Sequence, residues 1–435
     1  MSKLELTRLN ANDDGFEQQL ENMLSWESVS DATMQQVVAD VIADVRQHGD
    51  VALMKYSEKF DRFAVQSMTE LTLTADAIEA AFHRLPTEKQ EALTLSAQRV
   101  ASYHEKQVAQ SWQYEDESGV TLGQQITAMD RVGIYVPGGV APLASSVIMN
   151  AMPAKVAGVG NIIMATPAPD GQVSDFVLGA AYVAGVSEVY LLGGAQAIAA
   201  LAYGTETVPA VDKIVGPGNA YVATAKQQVF GKVGIDMIAG PSEILVVCDG
   251  QTNPDWIAMD LFSQAEHSHD AQAILISQSD EYLSAVLASI EELLPTMERQ
   301  ETILESLNDR GLFIKVDQLE DAKALINKIA PEHLELSIDN PESWLADIRH
   351  AGAIFMGRFT SEALGDYCAG PNHVLPTSGT ARFFSPLGVY DFQKRSSIIG
   401  ASSGAASELG KVVSVLARGE LLTAHARSAE QRIND

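Results

Sequence analysis

The sequence contains only two cysteines among 435 residues, Cys248 and Cys368, and they stand far apart in the chain. Their spacing matches neither a metal-binding pair nor a redox pair, and it excludes in practice the disulfide framework of a small secreted domain. A single reactive thiol is one interpretation, but a small buried residue is the expected role of each cysteine.

The sequence also has few basic residues: 29 Lys and Arg stand against 57 Asp and Glu, and the formal net charge is −28. Such a chain is a poor candidate for binding nucleic acid or an anionic membrane surface. No apolar run reaches the roughly 20 residues that a membrane-spanning helix needs, and residues 1–8 lack the apolar core of a signal peptide. We therefore expect a cytoplasmic protein that binds neither nucleic acid nor membranes.

The pattern of apolar residues predicts two successive α/β units, since the chain is too long for one compact core. Short apolar runs alternate with amphipathic helical runs from residue 131 onward, which is typical of parallel sheets wrapped by helices. The predicted strands cover residues 132–136, 161–165, 188–192, 213–215, 244–248, 271–277, 312–316, 333–337 and 353–356. We expect helices over about the first 110 residues, with a cap at Ser30-Asp31, a short hairpin at 119–130, and a helical tail at 404–431.

The three-glycine fingerprint of dinucleotide-binding proteins is missing. Glycine-rich turns follow three predicted strands, at 135–139, 193–196 and 216–219, where open parallel sheets bind ligands. Backbone N–H groups at such helix starts suit phosphate groups. However, Tyr221 stands where the third glycine of the last turn is expected, so a nucleotide site and tight structural turns are equally compatible with this pattern.

Polar residues suited to metal binding occur in four separate segments. Gln264 and His267 are three residues apart at the end of a predicted helix, so they share a face. The other segments are Glu332-His333, residues 365–367 with 372–373, and Glu420 with residues 423–425. Imidazole, carboxylate and amide oxygen form a ligand set that suits Zn²⁺ or Mn²⁺, but the spacing fits no standard zinc signature and each histidine alone is more often a structural polar residue.

Glu332 and His333 form an adjacent acid and base just after Pro331. Because proline disfavours helix at the residue before it, a helix ends here and the pair is presented at the start of a strand. A glutamate can activate water and a histidine can move protons near neutral pH. The alternative, a surface glutamate beside a core histidine, stays open on the residues alone.

Eight blocks of sequence, in order, resemble the histidinol dehydrogenase family, and the resemblance is weakest in about the first 30 residues. The blocks are VGIYVPGG at 132–139, GGAQAIAALA at 193–202, KIVGPGN at 213–219, AGPSE at 239–243, SQAEH at 263–267, PEHL at 331–334, GPNHVLPT at 370–377 and LTAH at 422–425. This resemblance implies oxidation of L-histidinol to L-histidine in two NAD⁺-dependent steps through a bound aldehyde, the last step of histidine biosynthesis.

The resemblance also implies a role for particular residues. His333 corresponds to the general base and Glu332 to the residue that activates water. One Zn²⁺ per subunit would be held by Gln264, His267, Asp366 and His425, with His425 supplied by the other subunit of an intertwined homodimer. The substrate would contact Ser242, Gln264, His267, His333, Asp366, His373, Glu420 and His425, and the NAD would contact Tyr135, Gln196 and Asn219.

The implied architecture consists of two incomplete Rossmann-like domains with a helical N-terminal segment and a small helical C-terminal tail. We assign an N-terminal segment to residues 1–29 and the metal-binding and catalytic domain to 30–134 plus 242–387. The NAD-binding domain then covers 135–241, and a dimerisation tail covers 388–435.

One position departs from the family pattern, because relatives usually have a proline where this chain has His269. Positions two apart face differently on a helix, so we keep His267 as the expected ligand. The serious alternative function is a related zinc- and NAD-dependent dehydrogenase for another amino alcohol. A thiol-dependent aldehyde dehydrogenase is disfavoured, since neither cysteine lies in a matched block. A non-catalytic binding protein is disfavoured as well, because the acid–base pair and the metal-binding residues are all retained.

Overall fold

The computed structural model describes residues 4–25, 32–138, 142–238 and 240–434. The predicted cap at Ser30-Asp31, Gly139 of the first glycine-rich turn and Ala239 of the fourth block lie outside the described residues.

The strands in chain order are β1 Thr7–Asn10, β2 Thr72–Leu73, β3 Trp112–Glu115, β4 Val120–Ala128, β5 Arg131–Tyr135, β6 Asn161–Thr166, β7 Glu188–Leu191, β8 Lys213–Val215, β9 Gly234–Ile235, β10 Glu243–Cys248, β11 Gln272–Ser277, β12 Leu312–Lys315, β13 His333–Ser337, β14 Ala353–Met356 and β15 Gln393–Ala401.

The α-helices in chain order are α1 Phe16–Leu24, α2 Ala32–Asp61, α3 Ala75–Arg84, α4 Thr87–His104, α5 Ala144–Ala157, α6 Asp175–Ala184, α7 Gly194–Tyr203, α8 Ala220–Val229, α9 Pro254–Ala265, α10 Asp280–Leu293, α11 Gln300–Arg310, α12 Ala322–Ile329, α13 Glu362–Tyr367, α14 Ser403–Gly419 and α15 Thr423–Glu430. Within the described ranges, no helix combines the length and apolar character needed to cross a bilayer.

The first sheet has the strand order β2-β7-β6-β5-β8-β9, with all neighbours parallel except β2 on β7. The chain moves outward from β5 through β6 to β7 and then returns to the other side of β5 with β8. The strand order therefore reverses between β5 and β8, which is the arrangement of a doubly wound sheet. Helices α2 to α8 cover this sheet and share one apolar core with it.

The second sheet repeats the same order, β1-β12-β11-β10-β13-β14, with all neighbours parallel. Here the order reverses between β10 and β13. Both faces of β10 are buried, since Leu245 and Val247 pack into one apolar cluster and Ile244 and Val246 into the other. Strands buried on both faces are a feature of parallel sheets, and they explain the uninterrupted apolar run 244–248. Two Rossmann-like parallel sheets are thus confirmed.

A third, antiparallel sheet with the order β15-β4-β3 was not predicted from the sequence. The predicted hairpin at 119–130 is wrong, because β4 is one continuous strand that pairs with β15 along its whole length, from Ala128↔Gln393 to Val120↔Ala401. Few of these residues are buried, so β4 lacks the alternation of apolar and polar residues that identifies a half-buried strand. This sheet ties the C-terminal helices α14 and α15 to the rest of the chain.

The N-terminal region is less helical than expected. Strand β1 adds an edge to the second sheet beside β12, so the prediction of helix throughout the first 110 residues is wrong there. Helix α2 is kinked at Gly49, whose φ of 50° and ψ of −128° are not helical. The domain boundaries stay predictions. Strand β5 spans the boundary placed between residues 134 and 135. Helices α2, α3 and α4, which the prediction assigns to the domain of the second sheet, pack on the first sheet.

The carboxyl edge of the second sheet, where ligands of such sheets usually bind, is bridged by ion pairs. Arg358 follows β14 and binds Asp249, which follows β10, at 2.5 Å and Asp339, which follows β13, at 2.7 Å. These contacts join strand ends on both sides of the point where the strand order reverses. The candidate functional site lies instead at the opposite, amino-terminal edge of the same sheet.

Candidate active site

His333 is the first residue of β13 and is almost fully buried. Its Nδ1 lies 3.0 Å from the backbone oxygen of Glu243, the first residue of the neighbouring β10. Because a carbonyl oxygen only accepts, Nδ1 donates its proton in this bond, so Nε2 is the ring nitrogen that can gain or release a proton toward the site. This Nε2 atom is buried and has no hydrogen-bond partner within the described part of the chain. The arrangement presents a basic nitrogen to whatever occupies the site.

Glu332 lies beside His333 and is anchored to the same two strands. Its Oε2 accepts the backbone N–H of Glu243 at 2.8 Å and lies 3.7 Å from His333 Nδ1. Burial raises the pKa of Glu332 to about 8, despite the nearby His333 and the hydrogen bond from Glu243. Burial alone would lower the pKa of His333, but the Glu362, Glu332 and Asp366 carboxylates outweigh that effect and raise it well above the usual value. The pair predicted from the sequence is therefore an acid and a base in close contact.

Gln264 lies at the end of α9, which begins after the capping residue Asn253 and packs on β10 and β11. Its side chain is fully buried. Hydrogen bonding assigns the amide nitrogen to the side where it meets the Glu243 oxygen at 3.0 Å and Glu362 Oε1 at 3.1 Å. The amide oxygen then faces His267 Nδ1 at 3.3 Å, so Gln264 and His267 share a face as their spacing predicted.

Asp366 lies on α13 with its Oδ1 atom 3.5 Å from His333 Nε2. This oxygen is buried and, like His333 Nε2, has no hydrogen-bond partner among the described residues. Burial would raise the pKa of Asp366, but the adjacent His333 imidazole outweighs this effect and lowers it below its usual value. Three predicted histidines and one predicted carboxylate therefore lie close together.

The imidazoles of His267 and His373 are held in the neutral form. Removal from water lowers the pKa of each, and the charge of Asp366 only partly offsets this effect. The His267 side chain still has solvent access in a single chain, as does His269. Neutral imidazole is the form that binds metal ions.

Two glutamates in the site were missed by the sequence analysis. Glu243 and Glu362 are buried, and burial raises the pKa of each to about 7. Glu362 lies outside the predicted segment 365–367, but it stands four residues before Asp366, a spacing that places both on one helix face. His333, Glu362 and Asp366 offer ligand atoms that lie within 4.8 Å of one another.

Ser242 lies next to the site, whereas Glu420 and His425 lie far along the chain. Ser242 immediately precedes β10, and its backbone oxygen accepts from Gln272. Glu420 is exposed in the turn between α14 and α15, and His425 is exposed on α15. Within the described ranges, no hydrogen bond or ion pair joins either of them to the residues around His333. A single chain therefore brings together Gln264, His267, Glu332, His333, Asp366 and His373, but not the two tail residues.

The residues expected to contact NAD lie at or just beyond the carboxyl edge of the first sheet. Tyr135 ends β5 and its hydroxyl accepts the N–H of Gly194, the first residue of α7, at 3.1 Å. Gln196 is buried in the first turn of α7, and Asn219 is the exposed capping residue of α8. Glycine is required at position 216, because a Cβ atom there would lie 2.1 Å from the backbone oxygen of Tyr135. The φ of Gly216, +113°, is also one that other residues rarely adopt.

A cavity of about 390 Å³ opens at the same edge of the first sheet. It is lined by Pro137, Gly138, Pro142, Thr166, Pro167, Pro169, Gln172, Val173, Ser174 and Val177. These residues follow β5 and β6 and include the capping residue of α6. The cavity is mostly apolar with a few polar groups, as nucleotide pockets are. Tyr135, Gln196 and Asn219 do not line it.

A doubly wound sheet with a cavity at its carboxyl edge, joined to a buried acid–base pair with imidazole and carboxylate groups, defines an α/β oxidoreductase of the NAD-dependent dehydrogenase class. Comparison with known proteins identifies the family. A sequence model described as histidinol dehydrogenase matches residues 25–433. The chain belongs to the histidinol dehydrogenase family, as the resemblance of its eight sequence blocks indicated.

Individual relatives agree with this assignment. The chain is 64% identical over 430 residues to the histidinol dehydrogenase of Pseudomonas fluorescens, covering 99% of this chain and 97% of that protein. It is 63% identical to that of Pseudomonas aeruginosa, covering 99% and 98%. The crystal structure of histidinol dehydrogenase from Elizabethkingia anophelis superposes with a TM-score of 0.93 at 34% identity, covering 99% of each chain. The fold and the order of the blocks are therefore those of the family throughout.

Proposed function

We propose that this protein oxidises L-histidinol to L-histidine through a bound aldehyde with two NAD⁺, as the last step of histidine biosynthesis. The observation that carries the proposal is the state of His333. Its Nδ1–H is fixed to the Glu243 oxygen, while its buried Nε2 faces the buried Asp366 Oδ1 at 3.5 Å, and neither of these two atoms makes a hydrogen bond within the described residues. Buried polar atoms without hydrogen bonds cost free energy unless a ligand satisfies them.

His333 acts as the base of both oxidations. Its Nε2 takes the proton of the alcohol hydroxyl while a hydride leaves the carbon that bears this hydroxyl. In the second oxidation, Nε2 takes a hydroxyl proton of the hydrated aldehyde while a hydride leaves the carbon of that group. NAD⁺, when bound, supplies the hydride acceptor in each half-reaction. The bond from Nδ1 to the Glu243 oxygen keeps the imidazole oriented while Nε2 gains and loses protons.

Glu332 activates the water that hydrates the aldehyde. Burial raises its pKa to about 8, so the carboxylate, once deprotonated, is a stronger base toward water than an ordinary glutamate. Its Oε2 is fixed by the N–H of Glu243, so the group is held in one orientation before water arrives. Glu332 therefore activates the water for hydration, whereas His333 is the base of the oxidations, and both are held by Glu243 of β10.

The residues fit one Zn²⁺ held by Gln264, His267 and Asp366, with the partner subunit's His425 as the fourth ligand. The donor set is two neutral imidazoles, a carboxylate and an amide oxygen, which zinc accepts. Asp366 Oδ1 has no other partner among the described residues, and Gln264 Oε1 lies 3.3 Å from His267 Nδ1, as two ligands with bonds of about 2.1 Å would. Zinc, when bound, supplies a fixed charge that holds the substrate in register.

Ser242, His373 and Glu420 complete the substrate contacts. Support for Ser242 comes from its place beside Glu243 at the start of β10, and support for His373 from its closeness to Asp366 and His333. Glu420 shares the short turn between α14 and α15 with Leu421, whose positive φ of 63° is uncommon for a non-glycine residue. We infer that this turn, together with the partner subunit's His425, reaches the site of the other chain.

An intertwined homodimer with shared active sites explains the exposed tail. Leu409, Val412, Val413 and Leu416 form one exposed apolar stripe along α14, and Leu421 is 88% exposed. Stripes of this kind mark protein–protein contacts. On the other side of the contact, Leu364 and Tyr367 are exposed beside Asp366. A second copy of the chain would cover both surfaces and bring His425 to the metal.

The nicotinamide cofactor binds at the carboxyl edge of the first sheet, with Tyr135, Gln196 and Asn219 among its contacts. The 390 Å³ cavity beside β5 and β6 supports this placement, as does the reversal of strand order between β5 and β8. The acidic composition and two unpaired cysteines support work in the cytoplasm, without nucleic acid or membrane partners.

The test measures how many NADH molecules form for each histidinol consumed. Purified, zinc-loaded protein is incubated with excess NAD⁺ and limiting L-histidinol, and NADH is measured by absorbance. We expect two NADH per histidinol and little free aldehyde, and we expect amino alcohols that lack an imidazole to react far more slowly. One NADH per substrate with aldehyde in solution would contradict the proposal, and equal rates on the control alcohols would indicate a dehydrogenase of broader specificity.

A further inference from the structure

Glu362 is a buried carboxylate in contact with both the proposed base and a proposed metal ligand, and the proposed reaction assigns it no step. It is the first residue of α13 and is only 1% exposed. Its Oε1 lies 3.1 Å from the amide nitrogen of Gln264 and 3.7 Å from His333 Nδ1. A buried carboxylate needs hydrogen-bond donors or opposite charges around it, and these contacts indicate its role.

The number of hydrogens on the Gln264 amide nitrogen determines which of its hydrogen bonds can form at the same time. Its nitrogen faces three acceptors within 3.1 Å, the Glu243 oxygen, Glu362 Oε1 and His333 Nδ1, but it has only two hydrogens. His333 Nδ1 already donates to the Glu243 oxygen and so cannot accept. The two amide hydrogens therefore go to the Glu243 oxygen, which has a second lone pair, and to Glu362 Oε1. The amide oxygen is left to face His267.

Glu362 is itself held in place by the protein. Its Oε2 lies 3.2 Å from the Ser263 hydroxyl, which shares its one hydrogen with the Asp260 backbone oxygen at 2.7 Å. The backbone N–H of Glu362 donates to Glu335 Oε1 at 2.6 Å. Glu335 lies on β13, two residues after His333, and is also buried. The strand that carries the base therefore also fixes the start of α13, which carries Glu362 and Asp366.

We propose that Glu362 is a positioning residue that orients the Gln264 carboxamide, so that its oxygen and not its nitrogen faces the zinc. Without an acceptor at this position the amide keeps only its bond to the Glu243 oxygen and rotates by 180° more readily, and the NH₂ group that would then face the metal cannot bind it. This inference rests on the proposed role of Gln264 as a zinc ligand. The rival role is direct ligation, because Glu362 offers a ligand atom within 4.8 Å of those of His333 and Asp366.

The experiment compares two neutral substitutions, Glu362→Gln and Glu362→Leu. Both remove the negative charge, but only Gln keeps an oxygen that can accept from the Gln264 amide. The readout is the rate at which zinc-loaded protein loses zinc to a chelator, together with the visible absorption of Co²⁺-substituted protein. We expect Glu362→Leu to lose zinc roughly 10–100-fold faster, as removal of a ligand-orienting partner typically does, and to shift the Co²⁺ bands. Glu362→Gln should stay close to the unsubstituted protein in both.

A second background separates positioning from ligation. In protein that also carries Gln264→Ala, the Leu and Gln variants should lose zinc at the same rate, since there is no amide left to orient. If Glu362 binds the metal directly, Leu and Gln should both release zinc rapidly in either background, which would overturn the inference. If Gln264→Ala alone leaves zinc retention unchanged, the proposed ligand set is wrong instead, so the two failures are distinguishable.

Two further variants control for general damage. Glu188→Leu removes a half-buried carboxylate that accepts from the Tyr190 hydroxyl in the first sheet, far from Glu362, and it should not change zinc loss. If Glu362→Leu does not fold, Ser263→Ala offers a milder test, because it removes the hydroxyl that holds Glu362 Oε2. It should accelerate zinc loss in the same direction, and no acceleration with intact folding would contradict the inference.

Discussion

Lys226 on α8 and Asp236 after β9 form an ion pair that is almost fully buried beneath the turn at residues 216–218. Their side chains are only 4% and 2% exposed. Asp236 Oδ2 accepts the N–H of Gly216 at 2.7 Å, and Lys226 donates to the Gly216 oxygen at 2.9 Å. Both backbone groups of one glycine are therefore held by opposite charges, at the sheet edge where the cofactor is proposed to bind.

Replacing Lys226 by Met should destabilise the protein by about 3–5 kcal/mol, because it leaves Asp236 buried without its partner. The turn at Gly216 should also lose its shape, so the KM for NAD⁺ should rise more than the KM for histidinol. Denaturant unfolding and steady-state kinetics measure the two effects. Lys55→Met is the matched control, since the exposed pair of Lys55 with Asp44 should contribute about 1 kcal/mol or less. Equal effects of the two substitutions would rule out the structural role given to Lys226.

Replacing His333 by Ala should slow the first oxidation by about 10²–10⁴, the usual contribution of one general base. Glu332→Gln should keep most of the alcohol oxidation but impair the conversion of aldehyde to acid, because only that half needs activated water. Rapid measurement of NADH formation from histidinol and from histidinaldehyde separates the two halves. Aldehyde oxidation at the unsubstituted rate in Glu332→Gln would show that Glu332 does not activate water.

The metal-free protein should become less stable as the pH rises from about 5 to 9. Burial raises the pKa of Glu332 to about 8, and an unfolded glutamate titrates near 4.5. The folded state therefore binds more protons in this window, so this contribution to stability is present below pH 4.5 and lost as the pH passes 8. We expect the free energy of unfolding to fall by roughly 1–3 kcal/mol, discounting for neighbouring charges.

The matched variant for the pH experiment is Glu332→Gln, which cannot ionise. Its stability should depend less steeply on pH over the same window, and chemical denaturation at each pH measures the difference. Identical slopes for the two proteins would mean that Glu332 does not titrate in this range.

His425 and His267 variants should restore activity when mixed. Each homodimer alone lacks a metal ligand at both sites. If His425 serves the other subunit, a heterodimer has one site without both ligands and one intact site. Unfolding and refolding an equal mixture should therefore give each heterodimer up to about half of the normal activity. Tagged subunits verify that mixed dimers form, and mixed dimers without activity would mean that His425 serves its own chain.

Much of the fold was predictable because glycine and proline mark the ends of its elements. Strands β8, β13 and β14 have the predicted bounds at both ends. The antiparallel sheet escaped prediction, since its strands are largely exposed and partners such as β4 and β15 lie more than 250 residues apart. In the site, Glu332 and His333 were found because they are adjacent. Glu362 was not, because nothing in its local sequence reveals that it meets Gln264, about 100 residues earlier in the chain.

The bridge from Arg358 to Asp249 and Asp339 makes the two sheets unlike at the edge where their strand order reverses. In the first sheet, a cavity of about 390 Å³ opens at this edge. In the second, the same edge is fastened by the chain's own charges, and the buried acid–base pair Glu332 and His333 lies at the opposite, amino-terminal edge. An inhibitor aimed at this pair would therefore have to enter from the amino-terminal edge of the second sheet.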